Sequence, residues 1–441
     1  MSNQKEKTTA QAAGMNRAKP YQLVLFPMNN GATNVYYILT MNFIAYYANG
    51  VLGLALMFAT TMVTVMRLFD AVTDPIIGAL IDRTNSKFGK FRPYMVIGNV
   101  IMIVSSILLY FGTRIIAPDM QWLRYACFVL FYALYVIGYT FQTACTRSGQ
   151  TCLTNDPKQR PMFTIFNTIA SLIGMGLVQF RAPILGDRLG GYNSANFFDF
   201  MIPLAIVVSA VLTLLAVIGI WEKDRPEFFG VGNKQEKVKL KEYVAILKAN
   251  KELQRLMVAG AGCKLAFSIA TNMTVLCMLY GAMMGDYGGL YLPMMIVGYI
   301  FSVPFFLLTV KTSQKHGQKA SLVRYTMLAL VMYIGVLVLL LLWKQGVPAF
   351  NLSLRSINVY TVLFVLFFGI GYGAYYATAD MPIPMVADCS DYETYRSGQY
   401  VPGIMGTLFS LVDKLVSSLG STIVGAAVAM IGIQTLPDSK T

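Results

Sequence analysis

Two aspartates one helical turn apart stand inside a long apolar run. The segment RLFDAVTDPIIGALIDR places Arg67, Asp70, Asp74 and Gly78 at i, i+3, i+7 and i+11, the spacing of a single helix face. An ionised carboxylate within hydrocarbon is costly unless it is paired, so these acids must face a cavity, a cation or Arg67. Two carboxylates at this spacing suit Na⁺ or Li⁺ through oxygen ligands, or a proton held between like charges, and Thr73 or Thr140 would add neutral oxygens. The competing account is an ion pair with Arg67 or Lys414 that only orients helices.

A second constellation is polar rather than charged. Tyr139, Gln142, Thr143, Thr146, Arg147 and Gln150 recur at helical spacing on one apolar run, and such a face cannot meet lipid. Asn30, Asn34 and Tyr37 on the first run and Thr164, Asn167, Thr168 and Ser171 on the fifth add amides, hydroxyls and an aromatic ring, groups that hydrogen-bond and stack on a polyhydroxylated ligand. Lys264, Tyr372, Tyr376 and Ser410 complete this candidate substrate set from the second half of the chain. Ser410, Lys414 and Ser417 share a face, with Lys414 a candidate counter-ion for the two acids. Arg147 reads either as a side chain snorkelling from a helix end or as the partner of an anionic group on a substrate.

A third cluster follows the acids. Asp82 and Arg83 end their helix, Lys87, Lys90 and Arg92 follow in a short turn, and Asp388, Asp391 and Glu393 precede the last apolar run. These charges suit a cytoplasmic gate closed by ion pairs, or equally an anchor for membrane topology. No GxxxxGK[ST] loop, HExxH or catalytic triad spacing is present, which argues against ATP-driven transport and against an enzyme. The six cysteines show no ligand spacing, and the single histidine, His316, lies in a basic turn, so neither a resident metal nor an organic cofactor is expected.

The elements that must position these residues are membrane helices. Of 441 residues 56% are hydrophobic and only 13% are charged, about half the charged share of an ordinary soluble domain. Apolar runs long enough to cross a hydrocarbon core of roughly 30 Å recur along the chain. Their pattern predicts eleven helical spans, at 21–48, 53–81, 94–116, 121–149, 161–185, 199–221, 254–284, 288–310, 320–343, 355–379 and 399–433. The net charge of +14 gathers in alternate loops, which places the N-terminus and those loops in the cytoplasm and excludes a nucleic-acid partner.

The expected organisation is a cytoplasmic tail (1–20), a first helix bundle (21–221), a central cytoplasmic loop (222–253) whose KEYVAILKANKEL reads as an amphipathic surface helix, and a second bundle (254–441). The first twenty residues lack an apolar core with a cleavage site, so no cleaved signal peptide is expected and targeting to the inner membrane falls to the first span. Two short turns of glycine and basic residues, GKFRP (Gly89–Pro93) and HGQKA (His316–Ala320), mark a weak internal repeat. The expected partners are a small molecule and membrane lipid, with a monomer as the working unit.

The string FDAVTDPIIGALIDRTNSKFGKFRPY, together with MVADCSDYETYRSG, resembles the glycoside-pentoside-hexuronide:cation symporter family, the melibiose permease group of the major facilitator superfamily. The likeness runs from about Tyr21 to the end of the chain. It implies an all-α membrane fold of two six-helix bundles, of which eleven spans are visible here and a twelfth is not. It also implies sugar transport by alternating access, coupled to Na⁺ or H⁺.

The resemblance sets the family's cation-site acids on Asp70 and Asp74, with Thr73 and Thr140 beside them, its arginine on Arg67 and its lysine on Lys414. The sugar site differs. Asn34 and Thr143 stand where galactoside transporters of the family have acids, Thr168 where they have an arginine, and Arg147 where they have an aromatic ring. Loss of those acids and the presence of Arg147 favour a hexuronide or other acidic glycoside. The rival reading is a proton-coupled antiporter or exporter of amphipathic small molecules.

Overall fold

The computed structural model describes residues 16–84, 86–154, 159–225, 228, 248, 250–344, 347–354, 356–379, 381–397 and 402–438. The described residues are helical almost throughout and hold no strand, as the hydropathy pattern predicts. The chain divides into two units, Met1–Glu236 with Ile433–Leu436, and Lys237–Gly432 with Pro437–Thr441.

The first unit opens with a segmented helix: α1 (Pro20–Leu25), α2 (Met28–Ile38), a π turn at Leu39–Phe43, α3 (Ile44–Tyr46) and a second π turn at Tyr47–Val51. The long helices α4 (Leu56–Arg83), α5 (Arg92–Tyr110), α6 (Gln121–Leu153), α7 (Gln159–Leu189) and α8 (Ala195–Ile220) follow. Here α2 packs along α7 and α8, α5 along α6 and α8, and α4 along α6. Glycine permits a close approach of α5 and α6. A Cβ on Gly98 would run into the Gly138 carbonyl and one on Gly138 into that of Gly98, so the bare backbones of α5 and α6 meet there.

The second unit contains α9 (Lys251–Ala270), α10 (Met273–Leu276), a π turn at Cys277–Met283, α11 (Tyr287–His316), α12 (Gln318–Leu342), α13 (Val359–Thr378), α14 (Pro382–Ser397) and α15 (Pro402–Met430). Caps set several starts: Asn250, Asp286 and Asn358 accept the Leu253, Gly289 and Thr361 N–H groups at the heads of α9, α11 and α13. α11 and α12 both lie along α13, while α15 lies along α9.

Among the described residues nine helices are long and apolar enough to cross a membrane alone, and α9 with α10 and its π turn makes a tenth span bent by 48°. Two details differ from the sequence reading. The first span is broken by its π turns into pieces each too short to qualify, and the polar stretch between the last two expected spans, left unassigned in the sequence, forms a separate helix, α14. The tail (1–15) and most of the central loop, including 241–247 of its expected amphipathic helix, lie outside the described residues.

α4 shows how the fold positions the acids. Leu68, Val72, Ile76 and Leu80 form an exposed apolar stripe, Ile76 being 62% exposed, while Asp70 on another face is 2% exposed. One face suits lipid and the other is enclosed by protein.

Candidate functional site

Asp70 sits in a cluster of oxygens. Its Oδ1 accepts a hydrogen bond from the Thr140 hydroxyl of α6 at 2.9 Å. Thr73 donates to the Asp70 carbonyl at 3.0 Å and lies 3.3 Å from the Thr140 hydroxyl. Thr140 has a single hydrogen and also has the Val136 carbonyl within 2.8 Å, so the group is richer in acceptors than in donors. Pro75 lies inside α4 and has no N–H to give to the helix turn before it, which leaves more backbone oxygen close to the same acids. Hard monovalent cations and protons are what such a donor set accommodates.

The positive partner of Asp70 is Arg67, whose Nη1 lies 3.7 Å from Oδ2. The Arg67 guanidinium also lies 4.7 Å from the centre of the Tyr37 ring, a cation–π contact that holds it in place. Tyr37 stacks on Tyr139 with ring centres 6.3 Å apart, Tyr139 on Tyr135 at 6.4 Å, and Tyr135 tilts against Tyr132 at 6.2 Å. Together with Thr40, Met41, Met66 and Val136 these rings wall a small recess that Arg67 and Asp70 also line.

One turn on, the surroundings change. Asp74 is 24% exposed and pairs with Arg147 of α6 at 3.5 Å, and the Arg147 side chain is itself 60% exposed.

Other residues singled out in the sequence have structural partners. Gln142 and Thr146, expected to line a substrate site, are buried where α6 meets α2: Asn29 donates to the Gln142 carbonyl at 2.9 Å and to the Thr146 hydroxyl at 2.7 Å, and the Gln142 amide donates to the Met95 carbonyl at 2.7 Å. Their polar side chains face helix packing because a polar group excluded from lipid is equally well satisfied between helices. Asn30 donates to the Asn167 carbonyl of α7 at 3.2 Å, Asn34 back to the Asn30 carbonyl at 2.8 Å, and Thr143 to the Thr140 carbonyl at 3.2 Å, while Thr168 is exposed.

In the second unit Tyr372 and Tyr376 belong to a ladder of stacked rings that runs from Tyr360 through Phe364 and Phe368. Lys264 and Lys414 are half-buried. The side chains of Asp82, Arg83, Asp391 and Ser410 lie outside the described residues.

Some residues of the expected gate have partners among the described residues. Arg92 is engaged inside its own unit by Asp224, a fully buried carboxylate after α8 whose Oδ2 lies 3.3 Å from the Arg92 Nε. The Asp224 oxygens also accept the backbone N–H groups of Lys90, Phe91 and Arg92 at 2.7–3.2 Å. In the second unit Glu393 accepts from Asn250 at 2.8 Å and from Arg396 at 2.7 Å, while Asp388 is exposed. Asp224 and Glu393 are buried carboxylates, and a buried charge needs such paired donors.

Sequence reasoning passed over Tyr132 and Tyr135, although with Tyr139 they recur at i, i+3 and i+7 along α6, a signal open to reading. It also passed over Asp224, an acid in WEKDRP that no periodicity marks.

Comparison with known proteins agrees with this architecture. In sequence the chain is similar to a lactose permease of Leuconostoc lactis, 30% identical over 226 residues that cover 47% of this chain and 35% of that one. It is also similar to the putative glycoside/cation symporter YagG of Escherichia coli (strain K12), 23% identical over 410 residues that cover 89% and 79% of the two chains. Its fold is that of the nucleoside transporter NupG, at a TM-score of 0.63 and 14% identity with 96% and 94% of the chains covered, and of a D-xylose-proton symporter, at 0.57 and 14% with 95% and 98% covered. The family described as MFS/sugar transport protein matches residues 26–441, and the chain, an all-helical membrane transporter and not an enzyme, belongs to that family.

Proposed function

We propose that the protein is a secondary symporter that couples entry of a cation, Na⁺ or H⁺, to that of a sugar or glycoside, with Asp70 and Asp74 as the cation site. The observation that carries this reading is the enclosure of Asp70 among Thr73, Thr140 and Arg67 beside a tyrosine-walled recess. A carboxylate so deep in a membrane helix is costly unless a charge that comes and goes with the transport cycle makes use of it. The recess supplies flat aromatic surface for a sugar ring, and its Arg67 supplies donors for hydroxyl or carboxylate oxygens.

Alternating access of the two halves then carries both ligands inward, and coupling is a reciprocal binding free energy between them. The relatives named for glycosides and lactose support the substrate class, and Arg67 with Arg147 supports an acidic member of it, such as a hexuronide. Residence in the inner membrane with a cytoplasmic N-terminus follows from the loop charges.

Proteoliposome counterflow with a panel of glycosides, with and without Na⁺ and across a pH gradient, tests the proposal. Asp70→Asn should remove cation-driven accumulation, and Asp74→Asn should weaken or remove it. Cation dependence undiminished in both variants would sink the assignment.

A further inference from the structure

The two arginines beside the acids are held very differently. Arg67 is boxed in by Tyr37 and the recess wall, and its side chain is 16% exposed. Arg147 reaches Asp74 at 3.5 Å, well beyond the roughly 2.7–2.9 Å of a strong charge-assisted bond, and its side chain is 60% exposed. Arg147 is therefore the less confined of the two and has more room to turn away from its acid.

Charge then constrains what can happen. Arg67 pairs with Asp70 and Arg147 with Asp74. A monovalent cation added between the carboxylates adds one positive charge to this arrangement, which a partly desolvated site resists. A ligand carboxylate placed against the displaced guanidinium offsets that charge, and the planar fork of arginine matches a carboxylate in a bidentate pair.

We propose that Arg147 is an exchangeable counter-ion: it holds Asp74 when no coupling cation is bound, and it passes to the carboxylate of an acidic glycoside when a cation takes its place. The proposal deepens the symport reading and rests on it. It makes Arg147 a specificity residue, because only an anionic substrate completes the exchange, and it makes transport of one cation with one acidic glycoside electrically neutral.

The test is binding of Na⁺, and in parallel of protons, to the purified full-length protein, with methyl β-D-glucuronide or methyl β-D-glucoside present or absent. In the wild type the glucuronide should tighten cation binding and the neutral glucoside should not. In Arg147→Gln the half-saturating cation concentration without sugar should fall roughly fivefold, the most that an exposed ion pair imposes, and the glucuronide effect should vanish. Arg147→Lys, which keeps the charge but loses the planar fork, should keep the cation affinity near that of the wild type and lose most of the glucuronide effect.

Wild-type cation binding that Arg147→Gln leaves unchanged, or a glucuronide effect that survives it, overturns the exchange alone. If the wild type binds neither Na⁺ nor protons at this site, and Asp70→Asn behaves identically, the cation-site reading fails and the exchange falls with it.

Discussion

In the first half of the chain α4 leads through Gly89 into α5, and in the second half α11 leads through Gly317 into α12. Both glycines carry positive φ, 98° and 87°. Around the first, the Asp224 carboxylate takes the N–H groups of Lys90, Phe91 and Arg92 at the head of α5, which places negative charge at the positive end of the helix. Around the second no side chain caps α12; neutral bonds join the helices instead, Ser321 to the Thr309 carbonyl at 2.9 Å and Thr312 to Tyr325 at 2.9 Å. The helices that precede the turns differ in the same sense. α4 carries Asp70 and Asp74, while α11 has no acidic residue from Tyr287 to His316. Both turns share the positive-φ glycine, but only the first is preceded by a helix that carries carboxylates, so chemistry that needs them on this helix belongs to the first half.

Removing the anchor is the strongest way to break that contrast. Asp224→Ala leaves three backbone donors and Arg92 without their shared acceptor, and loss of one partner from a buried charged network typically costs about 3–5 kcal/mol. Thermal unfolding in detergent should show a large fall in Tm, while Ser321→Ala at the second turn should lower it far less. Comparable losses at the two turns would remove the distinction.

The features open to reading in the sequence were those with a period. Asp70 and Asp74 show themselves because charge interrupts a run that lipid would otherwise cover, and the matched Gly-plus-basic turns show themselves as a repeat. What the sequence hides is direction. Gln142 and Thr146 share a stripe with Tyr139, yet Asn29 draws them into the α2 contact while Tyr139 turns to the recess. A helical face spans more than a quarter of the circle, and only the neighbouring helices decide which edge of it meets a cavity. Asp224 is hidden for a related reason: its partners lie more than 130 residues away, at Lys90, Phe91 and Arg92.

The glycines give an intermediate test. A Cβ at Gly89 meets both a positive φ and the Asp224 carboxylate, whereas at Gly317 it meets open space and carries only the backbone penalty. With φ 87° and ψ 158°, Gly317 occupies a region nearly closed to other residues, at a cost of about 1–3 kcal/mol for alanine. Gly89→Ala should therefore lower Tm more than Gly317→Ala, and adding Asp224→Ala to each should narrow the gap. A gap that persists without Asp224 would mean that the carboxylate is not its cause.

The smallest effect separates two acids of one short segment. Glu222 stands two residues before the buried Asp224 but is exposed, and it pairs with Lys19 at 2.8 Å. The hydrogen bond to Lys19 holds the Glu222 carboxyl below its usual range, and the same bond raises the Lys19 ammonium above its own. A depressed carboxyl adds stability that is present above its unfolded pKa and is lost as pH falls through the lower folded value. A raised ammonium adds stability that is present below its unfolded pKa and is lost as pH rises through the higher folded value. The pair thus contributes across the neutral range and fades at both extremes, and salt weakens it because both groups face solvent. Glu222→Gln should lower Tm slightly and evenly near neutrality, and its curve should converge with that of the wild type as pH falls below the carboxylate range. Divergence on acidification would place Glu222 in a buried network like that of Asp224, and the contrast between a structural carboxylate and a surface one would be lost.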